Sequence, residues 1–364
     1  VLTGSIDGQS TGGNHNTGTG TGFVVVVGTG AYVLTGSIDG QSTGGNHNTG
    51  IGIVVVVGTG AAFTKLFSTT ETKVTFNGVS VGGNNNTGIG ANLIAVGNGI
   101  MSDSDIDING TAIGGNFNLI IVNGTVTFDQ KLLIGNGIVV LANLTFIGDS
   151  TGGSDNNVEA STEAISGNGV YAQNHIWIQG NGVGGHRNLG SIVGNGVIAR
   201  GQVTLSGNAI AGNQNSLIWS STNFVSNGAC SIEAQLEIDD GNAIGGDNIH
   251  IIVITDPIIV IGAWDSKIVA GNGACGVRVK IRGNTEGGHN NPTDIDGIIN
   301  NGVASVGSVD VDGNSNGDAT DCQELPSNNG IYALNPQDVK VKGDSNGCTG
   351  ILVDHASDSL MFSV

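Results

Sequence analysis

The chain has 364 residues, of which 65 are glycine and only 4 proline, and its formal net charge is −19 with 11 Lys and Arg. Collagen is excluded because a strict Gly-x-y register and abundant proline are missing, and disorder is excluded by the plentiful Val, Ile and Leu. The acidic balance excludes nucleic acid, which needs a basic footprint, and suits an extracellular surface on which carboxylates oppose precipitation.

The chain opens on a repeat. Val1–Gly18 (VLTGSIDGQSTGGNHNTG) recurs verbatim as Val33–Gly50, an offset of 32, so residues 1–60 form near-identical tandem units. The punctuation then persists down the chain. A Gly-Gly turn stands at Gly12-Gly13, Gly44-Gly45, Gly82-Gly83, Gly114-Gly115, Gly152-Gly153, Gly184-Gly185, Gly245-Gly246 and Gly287-Gly288. Variants are read at Gly212-Asn213, Gly313-Asn314 and Gly343-Asp344. An asparagine follows at a fixed offset: Asn16, Asn48, Asn86, Asn118, Asn156, Asn188 and Asn291, with Asn215 and Asn248 holding the place in altered turns. Asn tolerates the left-handed backbone of an arc, and stacked amides can bond along an axis as a ladder. A second mark, Asn-Gly-apolar, is read as the opposite end of each unit, from Asn98-Gly99 through Asn136-Gly137 to Asn329-Gly330.

Between the marks the residues alternate, with Val277, Val279 and Ile281 read as inward and Arg278, Lys280 and Arg282 as outward. Period two means strand, and apolar 3.6-residue periodicity is missing from every long window, so no helix is expected. The predicted fold is all-β: one domain over 1–364, a parallel β-solenoid of stacked β-arches with about 11 rungs of about 27–43 residues and no helices. In-register stacking places Lys280, Asp310 and Lys340 in one column and Arg282, Asp312 and Lys342 in the next, so the sign alternates from rung to rung.

Residues 221–364 hold the cysteine-containing rungs. Cys230 and Cys275 both occur in Asn-Gly-Ala-Cys, the same position of successive units, which suits a rung-to-rung disulfide. Cys322 and Cys348 fall near the C-terminal end, and the sequence leaves all pairings open, including bridges between subunits. Sequons occur at Asn85, Asn109, Asn123 and Asn143, as chance alone would supply in this composition. Asp310, Asp312, Asn314, Asn316 and Asp318 alternate as oxygen ligands of a calcium loop do, but Gln323 stands where such a loop closes with Glu. Ser102–Asn109 (SDSDIDIN) is a weaker candidate of the same kind, and no other cofactor is expected.

Gly-x-Ser-x-Gly occurs around Ser10, Ser42, Ser80, Ser150, Ser315 and Ser345, and Gly180, Gly182 and Gly185 match Gly-x-Gly-x-x-Gly. Neither is followed by the helix its chemistry requires, so both read as turn chemistry. His15, His47, His186 and His289 follow Gly-Gly and read as turn-surface residues. With aromatics at 4% and no acid pair standing apart from the repeat, no enzyme is expected. The apolar stretch Ile249–Trp264 is broken by Asp256-Pro257, so no membrane insertion is expected. The chain begins inside a repeat without a leader and ends in the apolar Ser359–Val364. That pattern predicts a processed product with uncapped ends that continue head to tail as a homopolymer.

Acidic Gly/Asn/Val-rich chains of this size, with tandem Gly-Gly-x-x-Asn arches and a few cysteines, resemble the sheath proteins of filamentous methanogenic archaea. The resemblance spans the chain in composition and repeat style. It implies amyloid-like stacked arches, an extracellular cell-sheath role, self-association as the only partner needed, and cysteines available to link rings. The rival is a β-helical surface adhesin or autotransporter passenger, which would precede a membrane barrel. An ice-binding solenoid ranks last, because threonine is scattered.

Overall fold

The computed structural model describes residues 2–20, 24–64, 73–122, 131–159, 164–218, 223–252, 268–291, 297–318, 329–334, 338–348 and 351–354. Among them there is no helix, and hence none able to cross a membrane. The strands stack parallel into sheets of 26, 12 and 3 members, so the chain is an all-β parallel solenoid.

One rung shows how the sequence builds the rest. Four arms, Ile106–Ile113, Leu119–Val122, Lys131–Ile134 and Ile138–Val140, each pair with the equivalent arm of the neighbouring rungs. Period-two alternation then aims successive side chains into different spaces. Ile106, Ile108, Ile138 and Val140 share one core, Leu133 and Val139 a second, and Ile120, Leu132 and Ile134 a third. Arms buried on both faces read as continuous apolar runs (KLLI, IVV), whereas Ile106–Ile113 keeps one wet face and reads as an alternation. Toward the C-terminus a fourth cluster, around Leu217, Val225 and Ile299, takes the place of the third.

The two kinds of turn are not at opposite ends of the rung; they meet at one hub. From Gly45 onward, the second glycine of each Gly-Gly turn donates its N–H to the carbonyl that precedes Asn-Gly, or Thr-Gly in the first rungs; the acceptor is glycine except at Ser226, which accepts from Gly246. Gly83 donates to Gly58 O at 2.6 Å and Gly115 to Gly97 O at 2.6 Å. A Cβ on Gly97 would lie 2.1 Å from Asn118 Nδ2, and its φ is +63°, so this rung requires glycine there; Ser226 and Asn300 hold the same position in later rungs at φ +50° and +57°.

A second column of glycines runs through the wet-faced strands: Gly8, Gly40, Gly78, Gly110, Gly148, Gly180, Gly207, Gly241, Gly283, Gly313 and Gly343, one for each of eleven rungs and all at positive φ. This corrects the reading of Gly313-Asn314 and Gly343-Asp344 as degenerate turns. Gly313 stacks on Gly283, and the turn itself falls at Gly317-Asp318 and Gly347-Cys348, where Gly317 N–H donates to Asn346 O as Gly287 does to Asn316 O. Likewise the altered turn near 212 is Ala211-Gly212, because Gly212 takes the place of Gly185. The sequence separation of stacked residues varies from 20, at Ile331 and Ile351, to 45, at Asn227 and Asn272, and the asparagine columns hold through separations of 27 to 45.

Candidate functional site

What the fold repeats at every rung is a set of side-chain columns running along the stack. The first is a ladder of amides. The backbone N–H of Asn16, Asn48, Asn86, Asn118, Asn156 and Asn188 each donates to the side-chain oxygen of the next member, ending at Asn215, over 2.8–3.0 Å. From Asn48 to Asn215 the members are buried. Asn248 does not belong to this ladder. It takes the left-handed position before it, with φ +55°, and the buried Ile249 stands in the column, its N–H donating to Asn291 Oδ1 at 2.8 Å. Asn291 resumes the column and donates from Nδ2 to Gly246 O at 2.8 Å. The reason is the turn Gly245-Gly246-Asp247-Asn248, which puts its asparagine one residue too early.

The Asn-Gly marks form a second, fully buried ladder that the sequence reading took as simple punctuation. Asn136, Asn168, Asn195, Asn227, Asn272, Asn301 and Asn329 each donate backbone N–H to the side-chain oxygen of the preceding member, starting at Asn98. Its signal was present in the sequence: these asparagines recur at rung spacing, as the first set does. The ladder stops at Asn98 because Thr59 occupies the next position, with a buried Oγ1 that has no hydrogen-bond partner. Thr59→Asn is therefore expected to extend the ladder and raise stability by about 1 kcal/mol, read as an upward shift in a thermal melt. A third, more exposed ladder joins Asn181, Asn208, Asn242, Asn284, Asn314 and Asp344 through backbone N–H to side-chain oxygen bonds.

The serines of Gly-x-Ser-x-Gly are spent inside the hub. Ser80 donates to Gly99 O at 2.6 Å, Ser150 to Gly169 O at 2.5 Å and Ser315 to Gly330 O at 2.6 Å, and all three are fully buried. The left-handed position before the first ladder carries His15, His47, Asn85, Phe117, Asp155, Arg187, Gln214, Asn248 and Asn290, with φ between +52° and +59°. His15 and His47 stack there with ring centroids 4.8 Å apart, and Arg187 binds Asp155 through Nε at 2.6 Å and Nη2 at 2.8 Å.

The charge columns register as the offsets require: Lys280 pairs with Asp310 and Asp310 with Lys340, while Arg282 pairs with Asp312 and Asp312 with Lys342. They begin one rung earlier, since Lys280 Nζ binds Glu237 and Arg282 lies 3.8 Å from Asp239. The calcium reading finds its residues dispersed. Asp310 and Asp312 are exposed along the strand Val309–Asp312, with Lys342 Nζ 3.4 Å from Asp312, and Asn314 Oδ1 accepts from Asp344 N–H at 3.1 Å. Asp318 is buried, and Asn316 accepts from Asn346 Nδ2 at 3.0 Å. Among the described residues no three His, Cys, Asp or Glu side chains gather as a metal site.

Cys230 and Cys275 form a disulfide between adjacent rungs of the same chain, with Cα atoms 4.6 Å apart, and both are fully buried in the second core. Cys348 is also disulfide-bonded, and Cys322 lies outside the described residues. Of the sequons, Asn85 is exposed in the left-handed column and Asn109 is exposed on a strand, Asn143 is half-buried, and Asn123 lies outside the described residues.

One titratable cluster joins three successive rungs toward the C-terminus. His289 Nδ1 lies 3.4 Å from the buried Asp318 carboxylate, Nε2 lies 3.6 Å from Glu286, and the backbone N–H donates to Asp247 at 2.7 Å. Burial pulls the imidazole pKa down, but the hydrogen bond and charge of Asp318, the charge of Asp247 and the bond to Glu286 outweigh it and hold the group above its usual value. A raised folded pKa makes the contribution fully present below the unfolded value of about 6.5 and lost as pH rises through the folded value. The side chain is 46% exposed, so the effect is expected to stay below about 1 kcal/mol. The wild-type melting temperature should therefore fall modestly between about pH 6 and about pH 8 in a way that His289→Gln abolishes.

Comparison of the chain with protein-family models, with curated proteins and with solved structures found no match.

Proposed function

We propose that the chain is a structural subunit of an extracellular cell sheath or surface layer, associating with further copies of itself by cross-β stacking. The observation that carries this reading is that each rung meets the next through the same columns, glycine on glycine and amide on amide. An interface of that kind is defined by the rung and not by any one pair of rungs, so a rung of another copy offers the same partner groups. The disulfides support an oxidising, extracellular setting. The net charge of −19 supports an exposed, soluble surface without nucleic acid as a partner. A non-catalytic role is supported by the serines of the only nucleophile-like pattern, which are consumed as buried structural donors.

The test is electron microscopy of the purified protein, with and without reductant. Filaments, rings or sheets with an axial repeat near ~4.8 Å are the expected result. Because the Cys230–Cys275 disulfide lies inside one chain, these assemblies should survive a reductant that leaves the fold intact. Isolated rods at every concentration would overturn the polymer and favour a β-helical adhesin.

A further inference from the structure

The outer face of the wet-faced strands changes character toward the C-terminus. Up to Ser206 it is mainly neutral; from Gln235 onward whole strands carry one sign. Gln235–Asp240 presents Glu237 and Asp239, Arg278–Arg282 presents Lys280 and Arg282, Val309–Asp312 presents its two aspartates, and Val339–Lys342 its two lysines. The face is thus striped minus, plus, minus, plus, each stripe one strand wide, or about 4.8 Å. Alternation within the sheet satisfies neighbouring strands, most closely at Glu237 and Lys280, 20% and 37% exposed, yet the other side chains stay open to solvent: Arg282 is 61% exposed, Asp312 58%, Lys340 66% and Lys342 79%.

We infer that this striped flank is a self-complementary surface whose occupant is a second copy of the chain, laid face to face. The argument is one of symmetry. A two-fold axis parallel to the strands, passing between Arg278–Arg282 and Val309–Asp312, keeps position along the strand and reverses the order of the stripes. It lays Lys280 over Asp310 of the second copy, and Arg282 over Asp312. It also lays Glu237 over Lys340, and Asp239 over Lys342. Each of these eight charges then meets its opposite, and the set occurs twice; in the neighbouring column Arg278 lies over Ser308 and Asp338 over Gln235. A one-strand slip opposes like charges throughout, so the stripes fix the register as well as the partner.

The four strands offer about 300 Å² per copy, well under the roughly 800 Å² of a standard interface. Pairing through this face alone is therefore weak and salt-sensitive, and gains strength where many copies stand side by side. The inference deepens the self-association reading without sharing its test, because flank pairing needs no axial contact.

The experiment is sedimentation of the full chain in about 20 mM and about 500 mM sodium chloride, with micrographs of the same samples. Paired particles at low salt that separate at high salt are expected, with the apparent dissociation constant rising at least about ten-fold. Reversing one stripe, as K280E/R282E or as D310K/D312K, should abolish pairing of each variant with itself, and mixing the two should restore it. Thermal melts of each variant establish that it folds. Should a reversal fail to fold, the edge pair K340E/K342E, mixed with E237K/D239K, carries the same test. Single particles at low salt, or pairing indifferent to salt and to the reversals, would overturn the flank. Axial filaments that stay single would do so while leaving the stacking reading intact.

Discussion

Gly148→Ala is expected to cost about 4 kcal/mol or more, whereas Gly8→Ala, at the same position of the first rung, should cost about 1–3 kcal/mol. Both glycines hold positive φ, +135° and +101°, beyond the left-handed helical region, which alanine adopts at a penalty of that smaller size. They differ in what lies beneath. A Cβ on Gly148 would sit 1.8 Å from Gly110 O and 2.8 Å from its carbonyl carbon, while a Cβ on Gly8 would meet nothing within 4 Å. The obstacle is backbone, held by the strand pairing of Ile106–Ile113 with Leu144–Thr151, so it cannot swing aside as a side chain can. The difference between the two variants therefore isolates the closeness of rung stacking from the cost of the dihedral angle. Thermal melts with hydrogen exchange would read it, and equal losses at the two sites would refute the account.

Asn168→Ala is expected to lose about 3–5 kcal/mol. The fully buried amide donates from Nδ2 to Asn136 Oδ1 at 3.0 Å and to Ile192 O at 2.9 Å. Its oxygen accepts from Asn195 N at 3.0 Å and from Asn195 Nδ2 at 2.8 Å. Truncation removes all four bonds at once and leaves the Asn195 N–H without an acceptor in a dry site, which is the costly half of the exchange. Asn168→Asp separates shape from hydrogen bonding, since the carboxylate fits but has no hydrogen to donate. Burial against carbonyl oxygens raises the folded pKa of the introduced acid, so the variant is least impaired below the unfolded carboxyl value of about 3.9. Its deficit should grow as pH rises through the folded value. A chemical-denaturation series across pH checks both points. A flat profile for the Asp variant would mean that the site is wetter than its burial implies.

Much of this architecture is legible in the residues because the columns demand particular ones. Only glycine tolerates the positive φ at Gly78 or Gly110 beneath a stacked carbonyl, so the spacing of glycines prints the rung length. The paired signs of Lys280, Asp310 and Lys340 print the register. What could not be read is the junction. Gly82 and Gly97 bracket a turn of chain and meet only in the folded rung, a contact that no local preference announces. The same letter also serves two needs. Gly313 resembles a turn glycine in sequence but belongs to the strand column, because the backbone requirement and not the neighbouring residues selects glycine at both places. Asn248 is a comparable case: the left-handed position and the ladder position both accept asparagine, and a one-residue shift sends the side chain outward and leaves Ile249 to fill the column.

The two buried amide ladders run in opposite directions. In the first, Asn16 Nδ2 donates forward to Asn48 Oδ1; in the second, Asn136 Nδ2 donates back to Asn98 Oδ1. Aligned amides in a dry column polarise one another, and a single ladder would accumulate partial charge at its two ends as a helix does. Where both ladders run, from Asn98 to Asn215, their dipoles oppose one another, and the strands around them contribute little of their own. The middle rungs are therefore the least polarised part of the interior. The first ladder alone spans the rungs before Asn98 and the second alone those after Asn215, so the residual polarity of the buried amides lies toward the two ends of the stack.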